Sequence, residues 1–415
     1  MSCEESIRAL LAHIDAREGE IHAWVHLERE AALARARALD AAPAPARGPL
    51  HGMGIGVKDV IDTADMPTQY NSPIYAGHRP AEDAEVVRLL KAAGAVILGK
   101  TVTTEFAFMV PGPTRNPHDL ACTPGGSSSG SGAAVAAHMV PVALATQTGG
   151  STIRPAAFCG VIGYKPTFGS YATRGLKALS PALDTIGLHA QNLADLAAVS
   201  AVLAGVPLRT EAAPARLRFA VAGTHNAAQA EPQQLARLEE AGRALARAGA
   251  DVRNVELPPL MAELDALHRV IMGFEVARSF APEWAGDRAR LSAPLQDFIE
   301  KGLTYSAAEV DAARVRIDEG RRVMAAFMAP DEVLLTPPAA GEAPVGLEST
   351  GDAAFNRLWT MLGPPCLTLP AGRGVRGLPL GVQLVGVGMG SADEPRFLAI
   401  ARWAEAALEQ AGLGR

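Results

Sequence analysis

The stretch TPGGSSSGSGAAVAAHMVPVALATQTGGS, residues 123–151, is the most informative part of the chain. Two glycine-flanked serine clusters stand in it, joined by a segment rich in alanine and valine. Residues 130–139 suit a helix that rises from the first cluster, and VALATQT suits a strand that leads into the second. Either cluster alone would be interpreted as a flexible turn, so its meaning depends on what accompanies it elsewhere in the chain.

A lysine upstream accompanies the two clusters. Lys58 lies in GIGVKDV, where residues 54–57 predict an apolar, close-packed strand. A serine hydroxyl must lose its proton as it attacks, and a lysine can take that proton only when it is neutral. Burial favours the neutral amine and so lowers the lysine pKa. Asp59 would oppose this effect if it faced the same way, but alternation along a strand sends it to the other face.

The second cluster, TQTGGS, is suited to hold a developing negative charge. Thr148, Gly149, Gly150 and Ser151 are successive turn residues, and glycines allow consecutive N–H groups to converge on one point. One such donor typically lowers a reaction barrier by ~2.7–4 kcal/mol. We therefore expect Ser151 to be the nucleophile and the backbone around it to bind the oxyanion.

Lys58, Ser127 and Ser151, in this order and spacing, resemble the catalytic triad of the amidase signature family. Other blocks similar to family segments lie between residues 51 and 190: HGMGIGVKD, GAVILGKTVTTEFAF, NPHDLACTPGGSSSGS, TQTGGSTIRPAAFCGVIGYKPT and LSPALDTIGLHA. The resemblance implies an amide hydrolase with a Ser151 acyl-enzyme, Lys58 as general base and Ser127 as proton relay. In the family the bridging serine follows a cis peptide bond, here Gly126–Ser127.

Arg154 lies three positions after the expected nucleophile, in the sequence STIRP. It could form a buried ion pair that holds the active-site loop, or it could grip a substrate carboxylate through two hydrogen bonds. The arrangement resembles malonamidase-type members, in which an arginine at this place engages a short acid amide. The glutaminase subunit of amidotransferases differs, because its arginine lies one residue closer to the serine. The alternative to a hydrolase of small, carboxylate-bearing amides is nevertheless a glutaminase-type subunit of an amidotransferase.

The order of elements predicts one α/β domain over residues 1–415, with a mixed central sheet and helices on both faces. An N-terminal helix pair within 1–45 would precede a signature core of about 50–190, and a variable substrate-pocket region would span about 206–331. The predicted helices lie near 6–17, 28–41, 84–93, 130–139, 233–248, 261–280, 307–328, 355–362 and 394–411. The predicted strands are GIGVKDVI, AVILGK, VALATQT, LRFAVAG, DVRNVEL, LLTPPA and two more before the last helix. Three apolar residues, Phe106, Phe108 and Met109, are expected in the core; the family resemblance gives the wall of the substrate pocket as the alternative.

Two motif matches compete with this interpretation. GAVILGKT, Gly94–Thr101, fits the phosphate-loop expression, but its middle residues predict a buried strand rather than a loop around phosphates. GSSSG, Gly126–Gly130, fits a nucleophile elbow around Ser128, although the preceding NPHDLACTP is polar and broken by proline. This Ser-His-Asp alternative also needs a downstream acid and a histidine. The candidates for the histidine are His189, His225 and His268.

Composition limits the classes of function. The formal net charge is −6 and basic residues are scattered, so no nucleic-acid surface is expected. The start, MSCEESIRALL, is acidic where a signal peptide would be basic. The most apolar run is broken by His138 and Pro141, so we expect a cytoplasmic protein without a membrane segment. The four cysteines lack CxxC spacing, so no metal and no cofactor is expected.

The expected partner is a small-molecule amide, with a homodimer as the candidate assembly. An amidotransferase subunit that depends on a partner, or a sensor without turnover, is the alternative from another class. The presence of Lys58, Ser127 and Ser151 together argues against a site that has lost its activity.

Overall fold

A mixed sheet of eleven strands runs through the computed structural model, which describes residues 1–43, 47–208, 211–329 and 331–414. The strands are β1 (Trp24–Leu27), β2 (Gly54–Lys58), β3 (Val96–Thr101), β4 (Val142–Gln147), β5 (Ile162–Lys165), β6 (Thr185–Ala190), β7 (Arg218–Val221), β8 (Asp251–Asn254), β9 (Glu332–Thr336), β10 (Cys366–Arg373) and β11 (Pro379–Val385). The expected linker after Leu203 and the N-terminal region 1–45 lie partly outside the described residues.

Thirteen α-helices accompany the sheet within these ranges. They are α1 (Cys3–Ile21), α2 (Arg29–Asp40), α3 (Glu85–Ala92), α4 (Ser129–Ala136), α5 (Ile153–Cys159), α6 (Leu193–Ala204), α7 (Pro232–Arg247), α8 (Leu260–Ser279), α9 (Ala281–Gly286), α10 (Ala293–Leu303), α11 (Ala307–Phe327), α12 (Arg357–Leu362) and α13 (Glu394–Gln410). None of these helices is both long and apolar enough to cross a lipid bilayer.

The strand order is β1-β3-β2-β4-β6-β5-β10-β11-β9-β7-β8. The ladders that join β2 to β3 and β4, and β7 to β8 and β9, are parallel, and the remaining ladders are antiparallel. The prediction of a single α/β domain with a mixed central sheet is confirmed.

Helices cover both faces of the sheet, and β3 illustrates how. Val96 and Leu98 belong to a core cluster that includes the buried residues of α1 and α2. Ile97, between them, belongs to the cluster that includes the buried residues of α3 and α6. Successive side chains of a strand point to opposite faces, so the two clusters lie on the two sides of the sheet. The strand predicted in place of a phosphate loop is thus confirmed as β3.

The sheet brings the two serine clusters and Lys58 to one edge. β2 and β4 are parallel neighbours, so their carboxyl ends lie on the same side of the sheet. Lys58 ends β2, and the turn at 148–152 follows β4 and leads into α5. Helix α4, which starts beside Ser127, packs on β4.

Several elements are not predicted by the sequence analysis. These are β1, β5, β6, α5, α6, α9 and α10. All residues of β5 and β6 are buried, so neither strand has the alternation that reveals a half-exposed strand. α10 falls in the variable region, and it matters for function because it contributes to a wall of the cavity described below.

Candidate active site

Lys58 is fully buried at the end of β2. Its Nζ lies 2.7 Å from Ser127 Oγ and 2.6 Å from Thr146 Oγ1. Burial lowers the pKa of Lys58 well below its ordinary value; Asp184 opposes this shift, and the charge of Arg154 adds to it. The expected base and the expected relay serine are therefore in direct contact, around an amine whose neutral form is favoured.

Asp59 faces away from Lys58, as strand alternation predicts. Its Oδ1 lies 3.4 Å from Nζ of Lys100 on β3. Lys100 also donates to the carbonyl oxygen of Ile61 at 2.7 Å and to Thr68 Oγ1 at 2.5 Å. The carboxylate that follows Lys58 in sequence thus stabilises the charge of another lysine, and Lys58 has no ion pair with any described residue.

Ser128 cannot serve as the nucleophile of an elbow. The bond Gly126–Ser127 is cis, as the family resemblance implies. Ser128 is fully buried, and its Oγ both donates to the Thr146 carbonyl and accepts from the Thr146 N–H, each at 3.2 Å. The residues directly before it, 123–127, are not a strand, and Ser129 opens α4. These contacts argue against the Ser-His-Asp alternative, because its serine is bonded to strand β4 and an elbow needs a strand that leads into it.

The histidines considered for that alternative have other partners. His189 Nε2 lies 2.8 Å from the Thr152 carbonyl oxygen, and His268 Nε2 lies 2.7 Å from that of Thr148. His225 lies 4.0 Å from Asp265. None of the three forms a hydrogen bond with Ser128 among the residues described.

Ser151 lies in the turn between β4 and α5 and is partly exposed. Its Oγ forms no hydrogen bond with any described residue, so Ser151 and Ser127 are not bonded to each other in this structure. The backbone N–H groups of Gly149, Gly150 and Ser151 likewise donate to no described residue. Glycine is required at 150, because a Cβ there would lie 2.4 Å from Asn356 Oδ1. The turn therefore offers three free donors beside a free hydroxyl, which suits an oxyanion site.

The side chain of Thr148 forms a hydrogen bond with a buried carboxyl group. Thr148 Oγ1 donates to Asp184 Oδ1 at 2.6 Å, while Asp184 Oδ2 accepts from the N–H groups of Leu179 and Ser180 at 2.8 and 3.0 Å. Burial raises the pKa of Asp184 to about 6, although these hydrogen bonds oppose the rise. The hydroxyl of Thr148 thus fixes the turn, and the candidate oxyanion donors are backbone groups.

Arg154 combines parts of both of its expected roles. Its Nε donates to the Thr350 carbonyl at 2.9 Å, and its Nη2 donates to the Gly126 carbonyl at 2.5 Å. The side chain therefore anchors two loops. It does so through hydrogen bonds to carbonyl groups and not through the buried ion pair that was expected for a structural role. Its Nη1 is buried without a hydrogen-bond partner. Burial lowers the pKa of Arg154 to about 10, so it stays a cation at neutral pH.

Ser151 and Arg154 line a cavity of about 650 Å³. Part of its wall is apolar and comes from the loop after Thr104, from α8 and from α10. The residues of this apolar wall are Phe108, Met109, Met272, Pro294 and Phe298. The expectation of core positions is confirmed for Phe106 and Phe108, which are buried in the core, and wrong for Met109, whose side chain is largely exposed. Phe108 and Met109 also line the cavity. Phe106 and Ala107 have positive φ angles of 48° and 62°, and the chain turns there between Phe106 and the two residues of the wall.

Sequence reasoning missed four residues that organise the site and considered a fifth, His268, only for the Ser-His-Asp alternative. The four are Thr146, Gln147, Asp184 and Thr360. Gln147 Oε1 accepts the N–H groups of Thr152 and Ile153 at 3.0 and 3.1 Å. Thr146, Gln147 and Asp184 stand inside the quoted family blocks, so the signal was present. His268 and Thr360 come from distant helices that no local pattern connects with the turn.

Comparisons with known proteins show the family. A model of the family described as Amidase matches residues 5–390. A glutamyl-tRNA(Gln) amidotransferase subunit from Acidobacterium capsulatum is 34% identical over 92% of this chain and 92% of that protein. The corresponding protein from Salinispora arenicola is 38% identical over 65% of this chain and 60% of that protein. The match thus spans about three fifths of the length of that relative. The solved peptide amidase of Stenotrophomonas maltophilia is 29% identical, with a TM-score of 0.81, over 100% of this chain and 95% of that chain.

The chain belongs to the amidase family, as its motifs predict. These findings show the family but not the malonamidase type within it, because the relatives from Acidobacterium and Salinispora are amidotransferase subunits.

Proposed function

We propose that the protein hydrolyses a small amide to its acid and ammonia or an amine, through an acyl-enzyme on Ser151. Ser127 relays the proton and neutral Lys58 is the general base. One observation carries the proposal: Lys58 is fully buried and its amine contacts two hydroxyls and no carboxylate in the described chain. A hydroxyl can accept from an ammonium or donate to a neutral amine, so both protonation states of Lys58 keep their partners.

The proposed reaction has two halves. Ser151 Oγ attacks the amide carbon, its proton moves to Ser127 Oγ, and the proton of Ser127 moves to Lys58 Nζ. The oxyanion binds the N–H groups of the 149–151 turn. The C–N bond then breaks, and the leaving nitrogen receives the proton from Lys58 through Ser127. Water repeats the same transfers to release the acid. Catalytic hydrogen bonds often tighten only when substrate is bound, so the unbonded Ser151 hydroxyl of the free chain is compatible with this path.

Arg154 supports a substrate that carries a carboxylate. Its Nη1 is a buried cationic donor without a partner at a cavity that also contains Ser151. A charged hydrogen bond of this kind contributes roughly 1.5–3 kcal/mol. Short acid amides such as malonamate are therefore the first class of substrate. The cavity is much larger than malonamate and has an apolar wall, so N-substituted acid amides with an apolar amine are the second class.

A glutaminase-type subunit of an amidotransferase is the second candidate function. It is favoured by the names of relatives that match most of this chain. In that case the chain would assemble with other subunits, and the expected homodimer would not form. The position of Arg154, one residue further from the serine than in that type of subunit, favours the free amidase.

An amide panel tests the proposal. Malonamate, N-benzylmalonamate, simple aliphatic and aryl amides, ureido compounds and glutamine are incubated with the purified chain, and ammonia or amine is measured. Ser151→Ala is the matched control, and size-exclusion chromatography gives the assembly. Hydrolysis of acid amides by the chain alone is expected. Glutamine turnover that requires added partner subunits would favour the second candidate, and no turnover of any amide would contradict both.

A further inference from the structure

Three carbonyl groups of the turn that holds Ser151 accept hydrogen bonds from three different places. The Thr148 carbonyl oxygen lies 2.7 Å from His268 Nε2, and the Gly149 carbonyl oxygen accepts from Thr360 Oγ1 at 2.8 Å. The Gly150 carbonyl oxygen accepts the N–H of Arg154 at 3.0 Å. His268 belongs to α8 and Thr360 to α12, so two helices remote in sequence hold one turn.

These bonds determine where the N–H groups of the turn point. A trans peptide is planar, with its C=O and N–H pointing in opposite directions. Among the described peptides only Gly126–Ser127 is cis, so the units of the turn are trans. Holding the Thr148 carbonyl therefore orients the N–H of Gly149, and holding the Gly149 carbonyl orients that of Gly150. Glycine permits many backbone conformations, so these two peptides need such restraint more than others do.

The chemistry of His268 suits a fixed donor. The ring is almost fully buried, and burial lowers the pKa of His268 to about 4, so the ring is neutral at neutral pH. A carbonyl oxygen only accepts, so Nε2 carries the single ring hydrogen. Nδ1 has no partner, which leaves the bond to Thr148 as the only hydrogen bond of the side chain in the described structure.

We infer that His268 and Thr360 are positioning residues that aim the N–H groups of Gly149 and Gly150 at the oxyanion. The inference rests on the proposed acyl-enzyme at Ser151. Helix α8 lies in the variable region and contributes to the cavity wall. Through His268 it would also affect the rate of the chemical step. Neither residue touches the reacting atoms in this assignment; both act through the backbone of the turn.

Kinetics of paired variants test the catalytic part. His268→Ala and Thr360→Val are expected to lower kcat between about tenfold and a thousandfold, because loss of one oxyanion donor costs up to that much. KM should change little, since the oxyanion exists only in the transition state. His268→Gln, which keeps a donor near the Nε2 position, and Thr360→Ser should recover most of the rate. Glu263→Gln, an exposed change on the same helix, is the matched control.

An NMR measurement separates this inference from the proposed function. With ¹⁵N-glycine labelling, the amide resonances of Gly149 and Gly150 should shift or broaden in His268→Ala and Thr360→Val and return in His268→Gln and Thr360→Ser. Unchanged resonances in folded alanine and valine variants would overturn the positioning role whatever the activity. Changed resonances with an unchanged kcat would overturn the oxyanion role. Wild-type protein that hydrolyses no amide, with resonances that respond as expected, would instead contradict the proposed function.

Discussion

Two fully buried lysines on neighbouring parallel strands have opposite surroundings. Lys58 on β2 contacts two hydroxyl groups, whereas Lys100 on β3 contacts a carboxylate, a carbonyl and a hydroxyl. Val57 is the register partner of Lys100, so Lys58 and Lys100 point to opposite faces of the sheet. Burial lowers the pKa of both: that of Lys100 falls to about 8 against the opposing charge of Asp59, and that of Lys58 falls well below its ordinary range.

The difference shows that burial alone does not make a base. Burial removes water from both amines, but the Asp59 carboxylate keeps the charged form of Lys100 favourable near neutral pH. Around Lys58 the nearest strong charges act from a distance and in opposite directions, and the direct partners are neutral. Lys100 is thus a structural cation, and Lys58 is suited to proton transfer.

Exchanging each lysine for methionine should separate the two roles most widely. Lys58→Met should lower kcat by about 10²–10⁴, the usual contribution of a general base. Its free energy of unfolding should stay equal or rise, because a folded-state pKa below the unfolded one means that the buried amine destabilises the fold at neutral pH. Lys100→Met should instead keep the kcat of folded molecules and lose up to ~3–5 kcal/mol of stability, because Asp59 stays buried without its cation.

Two quantities are measured for both variants: kcat with the amide found in the panel, and the free energy of unfolding in urea. A Lys58→Met variant that keeps near wild-type kcat at neutral pH would contradict the base assignment. A Lys100→Met variant that is as stable as the wild type would contradict the structural one.

The two hydroxyl partners of Lys58 offer the next contrast. Ser127→Ala should lower kcat by roughly 10²–10³, because it interrupts the relay between Ser151 and Lys58. Thr146→Val, which removes the other hydroxyl at similar volume, should have a clearly smaller effect, since Thr146 is not on the relay. Single-turnover acylation rates of the two variants make the comparison. Equal losses would mean that both hydroxyls serve only to hold the lysine.

Substrate choice should respond to Arg154 by a smaller factor. Arg154→Gln should reduce the preference for malonamate over a neutral amide of equal length by about ten- to a hundredfold. The glutamine amide retains a donor for the Gly126 or Thr350 carbonyl, so the fold should persist. The kcat/KM ratio of the two substrates is the readout. An equal loss for both substrates in a folded variant would make Arg154 a loop anchor only.

The smallest expected effect is a pair of opposite shifts in the pH profile. Activity should rise with pH as Lys58 loses its proton. Asp184→Asn removes a negative charge that raises the pKa of Lys58, so the rising limb should move to lower pH. Arg154→Gln removes a positive charge that lowers this pKa, so the limb should move to higher pH. Profiles of kcat/KM for both variants provide the check, and shifts in the same direction would contradict the electrostatic account.

The sequence predicted the elements whose signal is local. Spacing and apolar patterning were enough to identify Lys58, the serine clusters and the strand at Gly94–Thr101. The cis bond at Ser127 followed from the family resemblance. The sequence could not predict contacts made across the sheet. The bond from His268 to the Thr148 carbonyl joins residues 120 positions apart, and no periodicity connects them.

Arg154 shows the same limit at a single residue. Its position in STIRP gave two roles, and only the folded chain distinguishes the nitrogen atoms. Nε and Nη2 are bonded to loop carbonyls, while Nη1 is left free of any described partner. Met109 was misassigned to the core because its apolar character gives no information about the turn at Phe106 and Ala107.

The most direct test of the central claim is the pH dependence of covalent labelling at Ser151. A neutral fluorophosphonate is reacted with the wild type and with Lys58→Met over a range of pH, and the modified serine is located by peptide fragmentation. The account predicts label on Ser151, at a rate that rises with pH as a group with a pKa well below that of a free lysine titrates. This rise should be absent in Lys58→Met. Label on Ser128, or the same pH dependence in both proteins, would contradict it.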